Sequence, residues 1–232
     1  MTPLVFLPGM MCDARLFAPQ IATFSRQRPV TVAPIGGHSS MDALAAEVLL
    51  HAPPKFALAG LSMGGIVAME IVRQAPDRVT RLALMDTNPL AELEPVKLRR
   101  DPQIKAARSG ALSQVMRNEM KPNYLVESPD KKALLDLCMD MAVGLGADIF
   151  VNQSIALRDR IDQTETLHGF DKHALVLCGR HDKLCPVERH EFINDLMPNS
   201  RLVIVENAGH LPSLEQPGET TAAMADWLEE KT

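Results

Sequence analysis

The chain has no apolar run near the roughly 18 residues that a membrane-spanning helix requires, so no membrane partner is expected. Cysteine is sparse: Cys12, Cys138, Cys178 and Cys185 are scattered without a CxxC pair. That spacing excludes the usual zinc patterns and a disulfide framework. Reduced thiols in a cytoplasmic protein are the expected state. The opening residues, Met1 to Pro8, carry no basic flank and no small-residue cleavage site, so a secretory signal is not expected. Basic charge is also short. Lys and Arg total 24 against 29 Asp and Glu, a net charge of −5, and nucleic acid is therefore not an expected partner. The densest basic group, Lys97, Arg99, Arg100, Lys105 and Arg108, is interrupted by Asp101 and reads as a solvated helix face. Internal repeats and low-complexity tracts are absent.

What is present suits one large α/β domain. The 232 residues are 46% hydrophobic and 23% charged, enough for a single filled core with an ordinary surface. Short apolar runs closed by Gly, Pro or Asn read as buried strands near residues 4, 31, 57, 83, 176 and 203. Between them lie helical stretches: Met41 to Leu50 with Ser39 or Ser40 as N-cap, Met63 to about Ala75, Val187 to Leu196, and Gly218 to about Glu230. Strand and helix alternate, which implies a doubly wound, mostly parallel sheet of about six strands. From Asn88 to Gly169 no strand pattern occurs, and Leu98, Ile104, Leu112, Val115, Met116, Leu134 and Met141 sit at helical spacings. This interval, 88–169, is expected to be a helical lid inserted after the strand ending near Asp86. Segments 1–87 and 170–232 are expected to form the core.

The most informative local pattern is Gly60-Leu61-Ser62-Met63-Gly64, set between an apolar strand and an apolar helix. Gly-x-Ser-x-Gly in that context is a nucleophile elbow, a turn that lifts the serine hydroxyl clear at the carboxyl end of a sheet. A hydroxyl is a poor nucleophile at neutral pH and needs a base, itself oriented by a third group. Asp182 follows the strand ending at Gly179, and His210 follows the strand ending at Val205. Parallel strands would bring both to the edge that holds Ser62. Asp86, at the end of the strand after the elbow helix, is the rival acid, with a turn-capping role before Asn88-Pro89 as its alternative. His181, beside Asp182, is a weak competitor of His210 for the role of base.

These motifs together, Leu7-Pro8-Gly9-Met10, Gly60 to Gly64, Gly179-Arg180-His181-Asp182 with Pro186, and Gly209-His210 with Glu215 and Pro217, resemble an α/β-hydrolase-fold protein over essentially the whole chain. The resemblance implies Ser62 as nucleophile, His210 as general base then acid, and Asp182 as the orienting carboxylate. It also implies an oxyanion hole from the backbone N–H groups of Met10 and Met63. The family often has His-Gly where this chain has Pro8-Gly9, which leaves Gly9 and Met11 as alternative donors beside Met10. Against the family pattern the chain starts at the third strand, so the first hairpin of the sheet is expected to be missing.

The expected activity is hydrolysis of a small carboxylic ester, thioester or lactone through an acyl-enzyme on Ser62, with no metal or organic cofactor implied. A small acyl molecule is the expected partner. The same fold and triad also serve C–C bond hydrolases and a menaquinone-pathway lyase, which would need Arg158 or Lys183 to face the substrate. A non-catalytic binding module is a third reading. Arg158, with Gln153 on a lid helix, has two readings: a partner for a substrate carboxylate or an ion pair with Asp159 or Asp162. Cys12 and Cys185 read as small buried hydrophobes. The Met10-Met11 pair reads as acyl-pocket lining or as packing filler.

Overall fold

The computed structural model describes residues 1–120 and 124–229. Six strands form one sheet: β1 Leu4–Leu7, β2 Val30–Val32, β3 Phe56–Leu61, β4 Val79–Met85, β5 Ala174–Gly179 and β6 Ser200–Val205. Their order is β2-β1-β3-β4-β5-β6, and every neighbouring pair is parallel. Helices α1 Ala18–Phe24, α2 Met41–His51 and α3 Met63–Gln74 precede β4. Between β4 and β5 lie α4 Glu94–Ala106, α5 Leu112–Val115, α6 Lys131–Leu145, α7 Ala147–Arg158 and α8 Thr164–His168. Helix α9 Val187–Leu196 joins β5 to β6, and α10 Pro212–Glu215 and α11 Pro217–Glu229 follow.

The central strands are continuous apolar runs because both faces of the sheet are covered. Alternate residues divide between two cores. Val5, Leu7, Leu58, Leu84 and Val176 face a cluster that includes side chains of α2, α3, α8 and α9. Leu4, Phe6, Ala59, Leu175 and Leu177 face the other, with Phe24, Met224 and Trp227 from α1 and α11. Helix α3 is buried from Met63 through Val72, as its all-round apolar sequence requires. Helix α2 is capped by Ser40, whose Oγ accepts the Ala43 N–H at 3.2 Å.

Two elements depart from the sequence reading. Helix α1 and the 3₁₀ turn Ala14–Phe17 before it carry no helical signal strong enough to be anticipated. Pro19 sits in the first turn of α1, where a missing N–H costs nothing. Strand β4 begins at Val79 rather than Arg81. Helix α11 is described to Glu229, and Glu230, the end inferred from sequence, lies outside the described residues. Among the described residues no helix is long and apolar enough to cross a membrane.

Parallel pairing aligns the strand ends. Leu7 pairs with Gly60, Met85 with Leu177, and Gly179 with Val205. The loops that follow β1, β3, β4, β5 and β6 therefore emerge at one edge. Helices from the β4–β5 interval stand against these loops. Tyr124 carbonyl accepts the His210 N–H at 2.6 Å, and Gln153 of α7 reaches the loop after β1.

Candidate active site

Ser62 sits between β3 and α3 with φ 55° and ψ −117°, a strained backbone for a non-glycine residue. The turn is possible only with glycine on either side. A Cβ on Gly64 would stand 2.0 Å from the Leu7 carbonyl oxygen, and one on Gly60 would stand 2.3 Å from the Gly64 oxygen. Both approaches are backbone against backbone, so neither can relax by moving a side chain. The Ser62 carbonyl is held by the Thr87 hydroxyl, which donates to it at 2.7 Å. Thr87 N–H in turn donates to His190 Nε2 at 3.0 Å, and His190 Nδ1–H donates to the Pro186 carbonyl at 3.2 Å. Burial lowers the His190 pKa to about 4, so this imidazole is neutral and can accept.

The side chains of Ser62, His210 and Asp182 form one hydrogen-bonded chain. Ser62 Oγ–H donates to His210 Nε2 at 2.9 Å, and His210 Nδ1–H donates to Asp182 Oδ2 at 2.8 Å. The other carboxylate oxygen, Oδ1, accepts the N–H groups of Leu184 at 2.8 Å and Cys185 at 3.1 Å. Burial opposes the charge on Asp182. The His210 ring and these two N–H groups outweigh it and hold the carboxyl below its usual range. Asp182 is thus an ionised acceptor that fixes the tautomer in which Nε2 is free to take a proton.

Asp86 does not bond to His210. It is fully buried with φ 45°, and its Oδ1 accepts the Gly179 N–H at 2.9 Å. Burial, then the adjacent Asp182 charge, push its carboxyl well above the ordinary range, so Asp86 keeps its proton. His181 is exposed, away from this chain of bonds. The rival acid and rival base are therefore separated from the reacting atoms by geometry.

The loop after β1 lies against the elbow, and a Cβ on Gly9 would be 3.5 Å from Ser62 Cβ. Of the three donors open from sequence, Met11 N–H is taken by Gln153 Oε1 at 2.9 Å. Gln153 also donates from Nε2 to the Ile35 carbonyl at 2.9 Å, so it ties α7 to two core loops. The N–H groups of Met10 and Met63 donate to no described residue. Met10, Ser62, Met63 and His210 line one cavity of about 540 Å³.

Glu215 braces the His210 loop. Its Oε2 accepts the N–H groups of Gly209 at 2.9 Å and Leu211 at 3.1 Å, and Oε1 accepts Val126 N–H at 2.8 Å. Burial raises its pKa, and those three donors partly offset the rise. Cys12 and Cys185 are buried, which pushes both thiols up and keeps them protonated, in line with their reading as small hydrophobes. Arg158 is engaged by Asp159 at 2.9 Å and Asp101 at 2.8 Å and does not line the cavity, so the ion-pair reading holds and Asp101 replaces Asp162 as its second partner. Lys183 does line it. Arg100 departs from the reading of a solvated basic face, and Arg99 adds a cavity contact to it. Both line the cavity; Arg99, Lys105 and Arg108 are exposed as a solvated face would be, whereas Arg100 has only 12% of its side chain exposed.

Known proteins resemble this chain to different degrees. A pimeloyl-[acyl-carrier protein] methyl ester esterase of Klebsiella pneumoniae is 25% identical over an alignment covering 92% of this chain and 88% of the relative. A thermophilic esterase from Thermogutta terrifontis, solved with malate bound, superposes with a TM-score of 0.88 at 26% identity, covering 98% and 89% of the two chains. The enol-lactonase from Burkholderia xenovorans LB400 superposes at 0.85 and 22% identity, with 99% and 92% covered, and shares the fold. The sequence profile of the Alpha/beta hydrolase family matches residues 4–224. The chain belongs to that family.

Proposed function

We propose that this protein is a serine hydrolase that cleaves a small carboxylic ester, thioester or lactone. The observation that carries the proposal is the unbroken hydrogen-bond chain from Asp182 through His210 to Ser62, opening into a cavity beside two unused N–H donors. Ser62 Oγ attacks the carbonyl carbon as its proton passes to His210 Nε2. The carbonyl electron pair moves onto oxygen, where the N–H groups of Met10 and Met63 receive it. Collapse of the tetrahedral intermediate breaks the bond to the leaving alcohol or thiol, which takes the proton from His210. Water, activated by the same imidazole, then cleaves the acyl-enzyme. Each oxyanion donor is worth roughly 3 kcal/mol of barrier. The relatives named as esterases support an ester as the scissile group. The 88–169 interval acts as the lid, since Met120, Tyr124 and Leu157 share the cavity with Ser62. Metal, organic cofactor, nucleic acid and membrane have no part in this reading, in which the partner is a small acyl molecule met in the cytoplasm.

Replacement of Ser62 by Ala is expected to lower kcat for a p-nitrophenyl ester by at least about 10³-fold with an unchanged melting curve. Retained turnover would remove Ser62 from the mechanism. A lyase or C–C hydrolase is the alternative, and Lys183 on the cavity wall is the observation in its favour. Product analysis separates the two: ester, thioester or lactone hydrolysis gives an acid with an alcohol or thiol group, C–C hydrolysis gives an acid and a new C–H bond, and elimination adds no water.

A further inference from the structure

The chain carries a net charge of −5, yet the cavity beside Ser62 is cationic. Arg99, Arg100, Arg160, Lys183 and Arg189 line it, against the carboxylates of Glu92 and Glu119. Glu119 is occupied by the Gln103 amide at 2.8 Å. Glu92 is shared by two guanidinium groups. Arg160 grips it through Nη1 at 2.8 Å and Nη2 at 3.0 Å, and Arg100 reaches the same carboxylate through Nη2 at 2.7 Å and Nε at 3.2 Å. Side-chain exposures are 5% for Arg160, 12% for Arg100 and 7% for Glu92. Two buried positive charges thus share one negative charge, and an uncompensated charge in such a place is costly unless something else meets it.

The two arginines differ in what they have left. Arg160 uses every nitrogen and four of its five N–H groups: beside the bonds to Glu92, Nε donates to the Leu90 carbonyl at 2.9 Å and Nη1 also reaches the Leu157 carbonyl at 3.4 Å. Arg100 Nη1 donates to no described residue, and Arg100 lines the cavity. Arg99, Lys183 and Arg189 form no ion pair with a described residue, so their field at the cavity is not cancelled locally. A planar guanidinium fixed by a carboxylate on one edge and open on another is a preorganised acceptor for a second carboxylate.

We propose that Arg100 is an anion subsite that binds a carboxylate on the substrate, and that the preferred substrate is the half-ester of a short dicarboxylic acid. Arg160 and Glu92 hold Arg100 in place, and Arg99, Lys183 and Arg189 draw the anion in. The proposal rests on the ester-hydrolase reading of Ser62.

The test compares monomethyl adipate with its neutral half-amide, methyl adipamate, and with an ester of equal length ending in a quaternary ammonium, following methanol release. The expected order of kcat/KM is anion, then neutral, then cation. Arg100→Gln is expected to lower the anion-to-neutral ratio by about tenfold or more, with Arg100→Lys in between because it keeps the charge and loses the fork. Free adipate is titrated in parallel onto Ser62→Ala protein and onto the Ser62→Ala, Arg100→Gln double variant, with binding expected only in the first. Should no ester be turned over while adipate binding depends on Arg100, the hydrolase reading falls and the subsite stands. A wild-type ratio near one, or a ratio unchanged in Arg100→Gln, overturns the subsite. If Arg100→Gln fails to fold, the ratio in Arg100→Lys decides, and no change there overturns it.

Discussion

Asparagine at position 182 separates orientation of the base from the integrity of the fold. Asp182 uses its two oxygens differently: Oδ1 accepts two backbone N–H groups at 2.8 and 3.1 Å, and Oδ2 accepts His210 Nδ1–H at 2.8 Å. In Asp182→Asn the two backbone donors keep the amide oxygen at the Oδ1 position. The amide NH₂ then faces His210 Nδ1, which must turn acceptor. The ring proton moves to Nε2, and Nε2–H points at Ser62 Oγ, 2.9 Å away, where a free lone pair is required. The loop should fold, since both backbone bonds survive, but the serine has lost its base. A wrong tautomer of this kind costs about 10⁴-fold in kcat, roughly 5 kcal/mol of barrier. Asp86→Asn is the matched control. Asp86 is already protonated, so an amide of the same shape changes little, and its cost should be below about tenfold in rate, roughly 1.4 kcal/mol. Ester turnover and melting curves of the two variants, side by side, decide the matter. Turnover of Asp182→Asn within tenfold of wild type, or a greater loss in Asp86→Asn, would refute the assignment.

Two further outcomes test the scaffold. Gly64→Ala forces a methyl group to within 2.0 Å of the Leu7 carbonyl and should destabilise the fold by about 3 kcal/mol or more, read as a lower urea midpoint; a midpoint equal to wild type would contradict the close approach. His190 is held neutral by burial, with a pKa of about 4 against an ordinary value near 6.5. The unfolded chain therefore binds the proton first as pH falls. The stability due to the neutral ring is complete above pH 6.5 and is lost between pH 6.5 and 4, by up to about 3 kcal/mol. His190→Gln, which can still accept from Thr87 and donate to Pro186, should flatten that part of the urea-midpoint profile, and an unchanged profile would exclude His190 as its source.

The parts visible in the sequence are those in which the local chain is constrained by itself. Gly60 and Gly64 announce the elbow because a side chain on Gly60 would meet the start of α3 and one on Gly64 would meet the end of β1. The six strands show as apolar runs because both faces are buried. Strand ends point to Asp182 and His210, and parallel pairing joins His210 to Asp182 across 28 residues of chain and to Ser62 across 148. What stayed hidden depends on contacts between distant segments. Nothing near Glu92 in the sequence says that Arg160 will share it with Arg100. Gln153 removes Met11 from the set of oxyanion donors from 142 residues away. Glu215 was visible as part of the His210 motif, but its three N–H donors were not, since Val126 comes from the inserted helical interval. Thr87 and His190, which hold the elbow carbonyl from behind, carry no sequence pattern at all.

The central claim is that Ser62 becomes covalently acylated. Rapid acid quench of the enzyme with p-nitrophenyl acetate, followed by mass analysis of its peptides, tests it directly. One acetyl group should appear on the peptide containing Ser62 at the rate of the p-nitrophenol burst and be absent from Ser62→Ala. An acyl group on any other residue, or steady hydrolysis by the alanine variant with no adduct, would contradict the account.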